Sequence, residues 1–119
     1  VESAMRTLEF TAVVKPDQTL LETLALIAEK RGGAAFVVNE TGHLVGIFTD
    51  GDLKRRLMND PSQLDCSIHG VMKADAKSTL PTDSLEVALD KMRSHHINCL
   101  AVLDTEGVLL GHLDIQDVA

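Results

Sequence analysis

The chain has no tryptophan and no tyrosine, and three phenylalanines make up its whole aromatic content of 3%. Single-stranded nucleic acid is gripped largely by aromatic side chains on which bases stack, and only Phe10, Phe36 and Phe48 could serve. Basic residues are also scarce, with 11 Lys and Arg against 18 Asp and Glu and a formal net charge of −7. Nucleic-acid binding rests on neutralising many phosphates. The one basic cluster, Lys54-Arg55-Arg56, is short, so nucleic acid is not expected as a partner. Two cysteines, Cys66 and Cys99, make no disulfide framework. With no secretory signal at the N-terminus, reduced thiols in a cytoplasm are the expectation. No stretch approaches the roughly 20 apolar residues of a membrane span, and no membrane partner is expected.

What is present is an ordinary globular composition, 45% hydrophobic and 24% charged over 119 residues, enough for one modest core. The organising feature is an internal repeat. Shifting the chain by 65 residues, without a gap, lays Pro16 on Pro81, Leu20 on Leu85, Leu24 on Leu89 and Val37 on Val102. The same shift lays Gly42 on Gly107, Leu44 on Leu109, Gly46 on Gly111 and Asp52 on Asp117. Conservative matches extend it: Thr19 on Ser84, Ile27 on Met92, Asn39 on Asp104 and Phe48 on Leu113.

Each copy follows one grammar. A proline and a polar turn lead to a helix start, in the first copy the capping box Thr19-Leu20-Leu21-Glu22. Leu20, Leu24 and Ile27 recur at helical spacing, as do Leu85, Leu89 and Met92, and Gly32-Gly33 is expected to supply the positive-φ stop. A short apolar run follows, Ala35 to Val38 or Leu100 to Leu103. A turn then ends in Gly42 or Gly107, and a returning strand runs from His43 to Phe48 or Val108 to Leu113. A second helix opens at Thr49. The pattern predicts an α+β fold of two β-α-β-β-α units packed as a pseudo-twofold pair, because one such unit alone leaves an apolar face bare. The expected divisions are 1–58, a connecting segment 59–70 containing Pro61, and 71–119 with its final helix truncated. Both ends read as cuts from a longer chain.

With the closing string Gly46-Ile47-Phe48-Thr49-Asp50-Gly51-Asp52, the chain resembles the tandem CBS repeats, named after cystathionine β-synthase, over nearly its whole length. Extended through Leu53-Lys54-Arg55-Arg56, it resembles more narrowly the regulatory tail of bacterial arabinose-5-phosphate isomerases. The resemblance implies a non-catalytic, nucleotide-sensing module whose isomerase domain lies outside this chain. It also implies a homodimer, with higher assembly through that missing domain.

The residues themselves point the same way. A strand ending in Thr49 and entering a helix through Asp50-Gly51-Asp52 gathers free N–H groups, a hydroxyl and carboxylates, which suit phosphate and ribose. The resemblance gives Thr49 to phosphate or ribose and Asp52 to ribose, and Lys54 or Arg55 could add charge to phosphate. The alternative is structural, with Thr49 a helix cap and Asp50 and Asp52 complementing the helix dipole. In the second copy, Gly111-His112-Leu113-Asp114-Ile115-Gln116-Asp117 keeps Asp117 for a ribose, but Asp114 replaces the threonine and repels phosphate. Asn98, at a strand entry, reads as a helix cap or turn residue and as a candidate lining residue. The expected site set is therefore Thr49, Asp50, Asp52, Lys54, Arg55, Asn98 and Asp117.

No catalytic constellation is signalled locally. His95 and His96 are adjacent and diverge on a helix. Cys66-x-x-His69 lacks a second ligand pair, so no metal and no permanent cofactor are expected. His43 and His112 read as sheet residues and Cys99 as a packed small side chain. Three functions compete: a sensor of AMP, ATP or a CMP-sugar governing an attached isomerase; a ligand-free assembly module; and, with least support, a free-standing enzyme.

Overall fold

The computed structural model describes residues 1–59 and 64–118; Pro61 and its immediate neighbours in the expected connection lie outside the described residues. The elements run β1 (Arg6–Thr7), a 3-10 turn (Leu8–Phe10), β2 (Ala12–Val14), α1 (Leu20–Lys30), β3 (Ala34–Val38), β4 (Leu44–Thr49) and α2 (Asp50–Asn59). After a second 3-10 turn (Ile68–Gly70) come β5 (Ser78–Thr79), α3 (Leu85–Ser94), β6 (Cys99–Leu103), β7 (Leu109–Asp114) and α4 (Ile115–Val118). This is the α+β repeat the sequence predicts, present twice.

Local chemistry sets each boundary. Thr19 caps α1 in a complete capping box, its hydroxyl accepting the Glu22 N–H while the Glu22 carboxylate accepts the Thr19 N–H. Ser84 caps α3 by accepting the Val87 N–H at 3.1 Å. Each such cap is worth about 1 kcal/mol. The stop of α1 corrects the expectation. The left-handed cap is Arg31 (φ 56°), matched in the second copy by His96 (φ 53°), and only Gly33 of the glycine pair has positive φ. Arg31 tolerates this because its N–H still closes the helix onto the Ile27 carbonyl. At the hairpin turns, Gly42 and Gly107 have φ of +85° and +86°, a region where a side chain would be strained.

Buried faces follow the residue pattern. β3 is buried at every position. Ala35 and Val37 pack under α1 with Leu20 and Ile27, while Ala34, Phe36 and Val38 face Cys99, Ala101 and Leu109 of the second copy. A continuous apolar run, rather than an alternating one, is what covering both faces requires. In the second copy Leu100 and Leu113 pack under Ala88 and Met92 of α3. The inter-copy layer is closed at one end by the two hairpin tips, where Leu44 donates to Gly107 and Leu109 donates to Gly42.

The two units also exchange segments. β1 lies near the start of the first copy, yet pairs antiparallel with β7 of the second, Arg6 opposite His112. Lys73, near the start of the second copy, pairs in the same sense with Ile47 on β4 of the first through two backbone hydrogen bonds of 2.8 and 2.9 Å. Ile47 and His112 are equivalent in the repeat, so the exchange obeys the pseudo-twofold. Among the described residues no helix is long and apolar enough to cross a membrane.

Candidate functional site

β4 ends and α2 begins at Thr49 because this residue and Asp52 satisfy each other's backbone. The Asp52 N–H donates to the Thr49 hydroxyl at 3.2 Å, and Asp52 Oδ2 accepts the Thr49 N–H at 3.1 Å. The other carboxylate oxygen of Asp52 accepts from Arg55 at 2.6 Å and lies 3.2 Å from Lys73 Nζ. Burial pushes this carboxyl group's pKa up, but hydrogen bonds from the Thr49 backbone and hydroxyl, Arg55 and Lys73 outweigh burial and hold it below the ordinary value. The Asp50 N–H is anchored on the Gly33 carbonyl at 2.9 Å; its counterpart, the Ile115 N–H, is anchored on Asn98 at the same distance.

In the second copy Asp114 takes over capping, with Oδ1 accepting the Gln116 N–H at 2.9 Å. Asp117, the equivalent of Asp52, holds Arg6 in a two-point ion pair of 2.6 and 3.0 Å. Each equivalent aspartate is thus met by a cation delivered by the exchanged segment: Lys73 on Asp52, Arg6 on Asp117.

Between the copies lies an open cleft of about 880 Å³. Of the expected residues, Thr49, Asp50, Arg55 and Asn98 line it. Asp52 does not; it is 7% exposed and sits in the cap. Lys54 and Asp117 are exposed outside the lining. Three cations there were not anticipated, namely Arg31, Lys73 and Lys77. A signal for Lys73 exists: Met5-Arg6 matches Met72-Lys73 at a shift of 67, two residues off the main repeat and so invisible to a gapless comparison.

The lining joins these cations with Leu24, Ile27 and Ile97, and with the acids Asp50, Asp75 and Asp114. Cations beside an apolar wall suit an amphiphilic anion, such as a nucleotide with phosphate on the basic side and base on the apolar side. Nucleophilic chemistry finds no support at Cys99, whose thiol pKa is pushed up to about 12, first by burial and then by the Asp114 carboxylate.

The family model described as the CBS domain matches residues 1–59 and 68–119. An arabinose 5-phosphate isomerase, KdsD, of Francisella tularensis is 33% identical over 99% of the chain, and the KdsD of Pseudomonas aeruginosa is 31% identical over the same share. The chain covers 36% of each of these two relatives, so it spans about a third of the length of the first curated relatives it matches. Among solved structures, the CBS domain protein PAE2072 from Pyrobaculum aerophilum complexed with AMP superposes with a TM-score of 0.83 at 26% identity, covering 97% of this chain and 91% of that one. CBSX2 in complex with AMP gives 0.83 at 25%, covering 98% and 90%.

Proposed function

Given that this chain belongs to the CBS-domain family and carries a pair of its repeats, we propose that it is a regulatory sensor of an adenine nucleotide or nucleotide-sugar. The observation that carries the reading is the inter-repeat cleft, where the Thr49-capped start of α2 meets Arg31, Arg55, Lys73 and Lys77 beside an apolar wall. The AMP complexes of PAE2072 and CBSX2, at 26% and 25% identity, support it. Ligand bound there touches both repeats and the exchanged segment that carries Lys73, so it favours one relative arrangement of the two. Such differential affinity is what regulation requires. The proposed recipient is a sugar-phosphate isomerase domain elsewhere in the protein, supported by the two KdsD relatives that match nearly the whole chain. In this reading the chain itself is not an enzyme and works in the cytoplasm.

Thermal denaturation against AMP, ATP, CMP and CMP-sugars tests the proposal. A ligand at 100 times its dissociation constant adds about 2.7 kcal/mol of apparent stability. One member of the panel should raise the midpoint in the parent chain, and less in Arg55→Ala or Lys73→Ala. A flat panel at millimolar ligand would refute it.

A second reading, an assembly module acting through a homodimer, draws on Leu8, Phe10, Leu21 and Val87, which are large, apolar and 46–56% exposed. Under it, a Thr49→Ala/Asp52→Ala double variant keeps both regulation and sedimentation behaviour. Loss of regulation with assembly intact would eliminate it.

A further inference from the structure

One face of the second sheet carries three buried, metal-ligating side chains that the nucleotide reading of the cleft does not use. Cys99 and Asp114 are directly opposed on β6 and β7, and His112 is two residues from Asp114 on the same strand face. One ligand-capable atom from each lies within 4.8 Å of the others, and all three residues are buried. Applying the repeat offset, their counterparts in the first copy are Ala34, Ile47 and Thr49. The same position in the same fold therefore packs without a thiol, an imidazole or a carboxylate.

Hydrogen bonding fixes the imidazole's form. The Thr11 hydroxyl donates its proton to the Thr7 carbonyl at 2.8 Å, so toward His112 Nδ1, also 2.8 Å away, it can only accept. The proton is then on Nδ1, and Nε2 carries a bare lone pair. Nε2 is buried and has no hydrogen-bond partner among the described residues, in a residue only 1% exposed. It faces Gly32, where an added Cβ would lie 3.3 Å away. The Cys99 thiol converges on the same spot, donating to the Gly32 carbonyl at 3.1 Å. Asp114 divides its two oxygens, Oδ1 capping α4 and Oδ2 lying 4.0 Å from the Cys99 sulfur. Arg6 is 3.7 Å from Oδ2 but directs its hydrogen bonds at Asp117 and the Arg31 carbonyl.

We propose that Cys99, His112 and Asp114 form a site for a thiophilic divalent cation, with Zn²⁺ the best match. A thiolate, a neutral imidazole and a carboxylate are preferred zinc ligands, and three of them leave a fourth tetrahedral position for a water on the cleft side, which Cys99 and Asp114 also line. Two ligand charges balance the dication, and the thiol proton leaves to solvent as the metal binds. The Thr11 contact is the outer-shell arrangement that orients metal-bound histidines. Tetrahedral zinc needs ligand atoms about 3.5 Å apart, so the 4.0 Å sulfur–oxygen distance closes by side-chain rotation.

The test is titration of the 119-residue chain with Zn²⁺, and with Co²⁺ as a spectroscopic substitute. Cys66→Ser serves as background, because the exposed Cys66 and His69 are a competing pair. The expected result is one equivalent of metal, a higher midpoint with Zn²⁺, and with Co²⁺ a thiolate charge-transfer band and tetrahedral ligand-field bands. Cys99→Ala and His112→Ile install what the first repeat carries, so they should fold and lose all three signals. Thr11→Val should keep the site but weaken it about 10- to 100-fold. No bound metal, or binding that survives Cys99→Ala and vanishes with Cys66→Ser, would overturn the proposal. None of these readouts involves a nucleotide, so the outcome is independent of the sensing function.

Discussion

Substituting Gly111 by alanine tests the segment exchange most directly. An added Cβ at Gly111 would overlap the carbonyl oxygen of Arg6 and crowd Thr7 Cα, both backbone atoms. No side-chain rotation relieves that, so β1 must lift from β7, giving up the pairing of Arg6 with His112 and Thr7 with Gly111. Lifting β1 also draws Arg6 away from Asp117 and leaves Asp114, 4% exposed, without its neighbouring cation. Overpacking of this kind costs about 1–3 kcal/mol, and the lost pairing places Gly111→Ala at the upper end, about 3 kcal/mol. The equivalent Gly46 is an internal control. There an added Cβ meets mainly the Met72 side chain, which is flexible, with the Lys73 carbonyl at 3.0 Å, so Gly46→Ala should cost only about 1 kcal/mol. Urea unfolding of both variants measures the difference, and hydrogen exchange should show faster exchange of β1 and β7 amides in Gly111→Ala alone. Equal destabilisation by the two variants, or unchanged exchange at β1, would refute the reasoning.

Asp52 gives a pH dependence. Its folded pKa lies below its unfolded value, so its contribution is fully present above the unfolded pKa and is lost as pH falls through the folded one. Asp52→Asn should therefore be less stable than the parent near neutrality and converge with it in acid, as followed by unfolding midpoints across pH; a constant gap down to the lowest pH would contradict the assignment. Helix capping gives a graded pair: Ser84→Ala should cost about 1 kcal/mol, and Thr19→Ala, which dismantles a two-way box, at least as much. Chemical denaturation checks both values. Core truncation at Phe36, fully buried between the copies, should cost about 3–5 kcal/mol, measurable by the same unfolding curves.

Much of the fold was legible in the residues. Helix starts were readable because Thr19, Ser84 and Thr49 cap through bonds spanning three residues. The helix faces were nearly so: Leu20 and Ile27 are buried as expected, but Thr23 takes a buried place and Leu24 only a partly buried one. The end of α1 was misread by one residue, since Arg31 rather than a glycine adopts the left-handed turn. At Gly32 an added Cβ would lie a tight 3.3 Å from His112 Nε2, a contact across 80 residues that no local rule registers. Of the residues that line the cleft, Thr49, Asp50, Arg55 and Asn98 had been named from motif and resemblance, whereas Arg31, Lys73 and Lys77 had not. They reach the cleft from a helix end and a crossing segment, and apart from the Met72-Lys73 echo of Met5-Arg6 nothing in their immediate neighbours marks them.

The periodic shift of 65, the hairpin glycines, the caps and the apolar runs are properties of short stretches of chain, and the amino-acid order alone determined the repeat and its β-α-β-β-α grammar. Tertiary structure decided everything that depends on which stretches meet. It took β1 and Lys73 to the opposite copies, turned Asp52 and Asp117 into partners of exchanged cations, and set Cys99 beside His112 and Asp114. Distance along the chain is the reason. Local hydrogen bonds act over three or four residues, whereas Arg6 meets Asp117 across 111 residues, only because β1 joins the sheet of β7.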